Sequence, residues 1–170
     1  MITELKIVFL KHLDLSENDI CKIISLKIQH WDYSEDSHKE WLSKNLNGED
    51  YHLWIEDKNG IIIAYLNIVH INIYLGAKEE YFLGIGNVCV DLEAKGNGLG
   101  ILLMSISNYY IRNLGSTAIL LCKNTLMSFY KKTGWKEFQG IVTLAGKDYN
   151  GCLMSTVSLN SDGLEINKNF

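Results

Sequence analysis

Apolar and polar positions alternate in short runs at both ends of the chain and form helical stripes between them. Residues 4–10 (Glu-Leu-Lys-Ile-Val-Phe-Leu) predict a strand. Ser16 stands before Glu17-Asn18-Asp19 as an N-cap with acids in the first turn, and Ile20, Ile23, Ile24, Lys27 and Ile28 keep helical spacing, which predicts a helix over 17–30. An aromatic and acidic loop, His30 to Asp36, separates it from a short helix over 37–46 around Trp41, Leu42 and Leu46. Strands over 51–56 and 61–71 flank Asp57-Lys58-Asn59-Gly60, where Asn-Gly signals a hairpin. A polar connection over 74–81 then leads to a strand over 82–91.

A helix follows over 98–114, with Leu99, Leu102, Leu103, Ile106 and Tyr110 as one stripe. Residues 117–122 (Thr-Ala-Ile-Leu-Leu-Cys) read as a buried parallel strand. A helix over 124–132, a strand over 134–139 and a last strand over 150–159 complete the order β-αα-βββ-α-β-α-ββ.

The chain of 170 residues is long enough for one domain with a real core, and no linker or repeat interrupts 1–170. A net charge of −4 speaks against a nucleic-acid binder working through a basic surface. Cys21, Cys89, Cys122 and Cys152 are scattered through apolar segments without a C-x-x-C pair, so they read as buried thiols of a reducing compartment, with no metal site. The longest apolar run, 61–66, is too short to span a bilayer, and the N-terminus lacks a signal-peptide layout. The expectation is a cytoplasmic protein, monomer or homodimer, with no membrane partner.

The chemistry concentrates in Val88-Cys89-Val90-Asp91-Leu92-Glu93-Ala94-Lys95-Gly96-Asn97-Gly98-Leu99-Gly100-Ile101. A strand runs into a glycine corner and a helix opens behind it, a layout whose free amides and positive dipole cradle an anion. A dinucleotide fold needs G-x-G-x-x-G, but Ile101 occupies the third position. A triphosphate loop needs Gly-Lys-Ser or Gly-Lys-Thr, which the chain lacks. Lys95-Gly96-Asn97-Gly98-Leu99-Gly100 is similar to the [QR]-x-x-G-x-[GA] pyrophosphate loop of the GCN5-related N-acetyltransferases (GNAT), with Lys95 where Gln or Arg is usual.

Two further pieces resemble that superfamily: the Val88-Cys89-Val90 strand end, and Asn124 to Trp135, where Phe129-Tyr130-Lys131-Lys132-Thr133-Gly134-Trp135 is similar to the family's Y-x-x-x-G-[FW]. The resemblance implies a mixed α/β fold with a mostly antiparallel sheet of six to seven strands, strands four and five splayed, and about four helices. It implies acetyl-CoA as cofactor. Amides of Lys95, Gly96, Asn97, Gly98, Leu99, Gly100 and Ile101 would hold the pyrophosphate, and the main chain of Val88, Cys89 and Val90 would pair with the pantetheine arm. Asn124 is a further cofactor candidate, one residue closer to Tyr130 than the family places it.

An acetyl transfer needs an acceptor for the amine's proton and a donor for the departing thiolate. Tyr130 matches the family's donor. The strand-four glutamate that serves many relatives as base falls on Gly86 here, beside Asn87, so no glutamate carries over; Glu80, His70 and Asp91 are the substitutes. The segment after Gly134-Trp135 is similar to the aminoglycoside 2′-N-acetyltransferase branch. Trp31, Asp32, Tyr33, Glu35 and Asp36 lie where relatives build the acceptor site, and would suit a cationic small-molecule amine. The alternative is a non-catalytic module of the same fold that binds or senses acyl-CoA.

Overall fold

The computed structural model describes residues 4–168 and 170. In chain order the elements are β1 (Leu5–Lys11), α1 (Glu17–Ile28), α2 (Glu35–Asn45), β2 (Tyr51–Asp57), β3 (Ile62–Leu75), β4 (Lys78–Val90), α3 (Leu99–Asn113), β5 (Ala118–Cys122), α4 (Met127–Lys132), β6 (Lys136–Glu137), β7 (Ile141–Leu144), β8 (Lys147–Asp148), β9 (Cys152–Ser155) and β10 (Gly163–Ile166). The fold is mixed α/β, with four helices and a mostly antiparallel sheet whose strands β4 and β5 splay. It divides into two compact units, residues up to 69 with 87–107, and 70–86 with 108–170. The long hairpin β3–β4 gives one half to each.

In the first unit β2 pairs antiparallel with β1, and also with the first half of β3, from Tyr51↔Ile68 to Glu56↔Ile62. The β2–β3 turn is built by Asp57, whose Oδ1 accepts from the amides of Asn59 and Ile61 at 2.9 Å each, while Gly60 takes φ +75°. A capping box between Ser16 and Asp19 starts α1. Its buried face carries Ile23, Ile24, Leu26 and Lys27, and Ile23 and Leu26 pack with Trp54, Ile62, Tyr65 and Cys89. Ile28, placed in that stripe by spacing, is exposed, because the helix ends there. Cys21 is likewise exposed on the outer face of α1, whereas Cys89, Cys122 and Cys152 are buried free thiols.

In the second unit β5 pairs parallel with β4 and antiparallel with β9, which also pairs with β6. β10 pairs antiparallel with the far end of β3 and parallel with β7, and β7 pairs with β8. The expected polar connection over 74–81 is instead the end of β3 and the start of β4, around Gly76 at φ +64°. β10 provides partners for Ile73, Tyr74 and Leu75, which keeps that half of β3 extended. Strands β7, β8 and β10 bring the sheet to ten strands among the described residues, beyond the six or seven expected. They are only two to four residues long, too short to show a period. On α3 the buried positions are Leu99, Leu103, Met104, Ser107 and Ile111, and Leu102, expected inside, is exposed.

Candidate active site

β5 pairs with β4 only over Leu83–Ile85 against Ala118–Leu120, although β4 runs on to Val90. The Asp91 amide donates to the Ile63 carbonyl at 2.9 Å, so this residue turns its main chain toward β3. By strand alternation Val88 and Val90 turn theirs to the opposite edge, the one β5 has left. The side chain of Cys89 is in the core, and burial pushes its thiol up to about 12.

Past Val90 the chain makes a 3₁₀ turn over Leu92–Ala94, capped by Asp91, which accepts from the Glu93 amide at 2.9 Å. Gln29, just beyond α1, grips the start of this corner twice: its Nε2 donates to Asp91 Oδ2 at 2.8 Å, and its Oε1 accepts from the Leu92 amide at 3.0 Å. Gly96 and Gly98 have φ of +83° and +79°, and a Cβ built on either meets nothing within 4 Å. Glycine is thus required by backbone angle, and the space over the main chain is open. The α3 ladder begins with Leu102 N donating to Gly98 O at 3.0 Å, so the amides of Leu99, Gly100 and Ile101 lack helical acceptors. Lys95 is exposed beside them, and the Asn97 side chain folds back to donate to Ala94 O at 3.3 Å. Open amides at the positive end of a fifteen-residue helix, next to a lysine, fit a diphosphate.

His30 follows α1 and is half-buried. Its Nε2 lies 2.8 Å from the carbonyl oxygen of Val90. A carbonyl only accepts, so Nε2 carries the hydrogen and, in the neutral ring, Nδ1 holds the lone pair. The ring also leans on Trp31, with centroids 5.7 Å apart.

A cavity of about 330 Å³ opens in the same unit, lined by Lys27, Trp31, Tyr33, Ser37, His38, Trp41 and Asn87. Trp31 and Tyr33 therefore border it. Asp32, Glu35 and Asp36 do not, and all three are exposed. Glu35 and Asp36 form the first turn of α2 behind the Ser34 cap, where acids complement the helix dipole. Lys27, 2% exposed, holds its ammonium 4.5 Å from the Trp41 ring centroid and 5.9 Å from that of Trp31. Among the described residues no carboxylate pairs with it. Burial pulls its pKa down to about 8. His38 reaches the Trp31 carbonyl through Nε2 at 3.2 Å, and burial holds its pKa below the usual range. Asn87, at φ +53° within a strand, donates to the buried Asn67 Oδ1. A left-handed non-glycine residue is a strained conformation of the kind found where a site needs one.

In the second unit Tyr130 is buried on α4, and burial pushes its hydroxyl well above the ordinary phenol range. Its carbonyl accepts from the amides of Thr133 and Trp135 and from the Thr133 hydroxyl, at 3.0, 3.2 and 2.8 Å. Trp135 is in turn held by Asn108 Oδ1 at 3.0 Å, and Asn108 donates to Thr133 O at 2.9 Å. The Gly134-Trp135 pair, with Gly134 at φ +89°, is thus the clamp that fixes α4 and Tyr130. Asn124 accepts from the Cys152 thiol at 3.1 Å.

The substitute bases are otherwise engaged. Glu80 pairs with Lys78 at 3.0 Å, Asp91 is capping the corner, and the ring of His70 packs against Tyr81 at 5.8 Å. His30 carries no sequence signal of a site residue; Lys27 has one, a lysine in the core stripe of α1 four residues before a tryptophan.

A family model described as the acetyltransferase (GNAT) domain matches residues 14–146. Among solved structures, an acyl-CoA N-acyltransferase from Pseudomonas aeruginosa superposes with a TM-score of 0.68 at 21% identity, over 91% of this chain and 100% of that one. A GNAT family N-acetyltransferase (YhbS) from Escherichia coli in complex with CoA gives 0.67 at 16% identity, over 96% and 91%. Glucosamine-6-phosphate N-acetyltransferase from Arabidopsis thaliana gives 0.60 at 20% identity, over 78% and 92%. No curated protein matches the sequence significantly.

Proposed function

Because the chain belongs to the acetyltransferase (GNAT) domain family, we propose that it moves an acetyl group from acetyl-CoA to the amine of a small-molecule acceptor. The observation that carries this is the open glycine corner at Gly96 and Gly98, with unpaired α3 amides behind it, next to the end of β4 that runs past its pairing with β5. The corner amides and Lys95 would hold the diphosphate. The outward main-chain groups of Val88 would pair with the extended arm, as an added strand pairs with a sheet edge, while the Val90 carbonyl is held by His30. The Val90 amide would then polarise the acetyl carbonyl. By the same alternation Cys89 turns its main chain toward β3 and would support the arm without facing it, and Asn124 would reach the cofactor through its side-chain amide.

In this reading the acceptor nitrogen attacks the thioester carbon, the carbon–sulfur bond breaks, and the nitrogen gives its proton to Nδ1 of His30. Val90 fixes the tautomer that makes this possible. Tyr130 returns a proton to the leaving thiolate; its raised pKa keeps the phenol protonated until that moment. Trp31 and Tyr33 would face the acceptor. Asp32, Glu35 and Asp36, outside the cavity, would steer a charged acceptor at most.

The test is release of free thiol on mixing the protein with acetyl-CoA and a panel of amines, aminoglycosides included. Turnover with at least one amine is expected. Tight acetyl-CoA binding with no thiol released by any amine would leave a sensing module and end the catalytic proposal.

A further inference from the structure

The cavity beside Asn87 carries a charge opposite in sign to the one its neighbouring acidic residues suggest. Its one charged lining side chain is Lys27, and the acids of the 32–36 segment stay outside. Lys27 sits on the buried stripe of α1, where an apolar residue would pack without cost. The rings of Trp41 and Trp31 stabilise its positive charge, but a π face is not an acceptor for its three N–H donors, and no carboxylate among the described residues pairs with them. An ammonium that is nearly removed from water and lacks a carboxylate is a costly arrangement. The groups around it do not relieve the cost. His38 and His52 lie close enough for the Lys27 charge to disfavour their protonation, and the Cys89 thiol is buried and neutral. Of the remaining walls, Tyr33, Trp31 and Trp41 are flat and aromatic, and Ser37 and Asn87 are neutral and polar.

We propose that Lys27 is the anion anchor of the acceptor site: the amine acetylated here carries a carboxylate, which pairs with the Lys27 ammonium while an aromatic body lies against Trp31, Tyr33 and Trp41. The inference rests on the acetyltransferase reading for the fate of the amine, but not for the binding itself. An aromatic amino acid has the required parts. A polycation does not, since it would bring like charge to a buried cation.

Binding and turnover separate the two claims. Quenching of tryptophan fluorescence reads the cavity directly, because Trp31 and Trp41 line it. The probes carry no indole of their own: N-acetylphenylalanine against N-acetylphenethylamine, and N-acetyltyrosine against N-acetyltyramine, each pair differing only in the carboxylate. The carboxylated member is expected to bind at least tenfold tighter, and Lys27→Met to reduce that ratio to about one. Lys27→Arg keeps the charge and is expected to retain a preference; it serves if the methionine variant fails to fold. Phenylalanine against phenethylamine in the thiol-release assay should show the same preference as a KM effect. Equal or weaker binding of the carboxylated member in both pairs, or no binding by either, overturns the anchor. Acetyl-CoA binding measured by calorimetry stands apart. Its absence would remove the acetyltransferase reading and leave the fluorescence result to decide the anchor.

Discussion

The imidazole of His30 donates from Nε2 to the carbonyl oxygen of Val90 across 2.8 Å. That single bond ties the end of α1 to the edge of β4 where the thioester arm is proposed to lie, and it leaves Nδ1 as the ring's proton acceptor. His30→Gln can keep the hydrogen bond through its amide but has no titratable nitrogen. The expected result is a fall in kcat of roughly a hundredfold, the low end of what general-base catalysis contributes. Acetyl-CoA affinity should hardly change. An unaltered kcat would remove His30 from the proton path.

Tyr130 is held through its main chain by Thr133 and Trp135, which leaves the phenol ring free to be judged separately from the helix. Tyr130→Phe retains the ring and its edge contact with Phe129, 5.0 Å between centroids. We expect kcat to drop by roughly a hundredfold with acetyl-CoA binding within a few fold of wild type. A poor leaving group should be affected more than a good one, so an acetyl thioester of a more acidic thiol is expected to recover part of the loss. Unchanged turnover would assign Tyr130 to packing.

Gly98 adopts φ +79° with open space over its Cβ position. Asn and Asp both tolerate that backbone better than other side chains and are nearly equal in size. Gly98→Asn therefore reports strain and bulk, and Gly98→Asp adds a negative charge where the diphosphate is proposed to sit. Calorimetry should show the aspartate variant binding CoA at least tenfold more weakly than the asparagine variant, with the gap narrowing at high salt. Equal affinities would move the diphosphate elsewhere.

His52 is buried between His12, 3.0 Å from its Nε2, and the hydroxyl of Tyr65, 2.8 Å from its Nδ1. Burial first, then the charges of His12 and Lys27, pushes its pKa down to about 3. The unfolded chain binds a proton at His52 near pH 6.5, and the folded chain does not until about 3. Stability contributed by this site is thus present above pH 6.5 and lost as the pH falls toward 3. Urea midpoints measured from pH 7 to 4.5 should decline, and His52→Gln should flatten the decline. Parallel curves for the two proteins would contradict the assignment.

The sequence could be read for what repeats locally. The Ser16 cap, the Asn59-Gly60 turn and the glycine corner each depend on a few adjacent residues, and each forms where expected. Pairings that are set at long range were hidden. The far half of β3 is extended because β10, some ninety residues later, pairs with it. The carboxylates of the 32–36 segment suggested a cationic acceptor site by proximity in sequence, yet Ser34 caps α2 and turns Glu35 and Asp36 into a helix terminus. Lys27 and His30 do not stand out in the sequence, because a lysine in an apolar stripe and a histidine at a helix end are ordinary until burial and partners are known.

Lys27 also leaves a signature on stability. Burial pulls its pKa from 10.5 to about 8, so the folded protein sheds this proton while the unfolded chain keeps it. Between those limits the unfolded state binds more protons, and the stability of the fold rises with pH. Below about 8 the cost of a buried ammonium is fully present; toward 10.5 it is gone. The surrounding groups stay silent in this window, because His38 and His52 are already neutral and the Cys89 thiol is pushed up to about 12. Lys27→Met removes the charge at similar length. The difference in urea midpoint between variant and wild type should therefore favour the variant at pH 7 and shrink steadily by pH 9.5. A difference that does not change with pH would mean that the ammonium is hydrated in the folded protein and is not the desolvated cation that an acceptor carboxylate would seek.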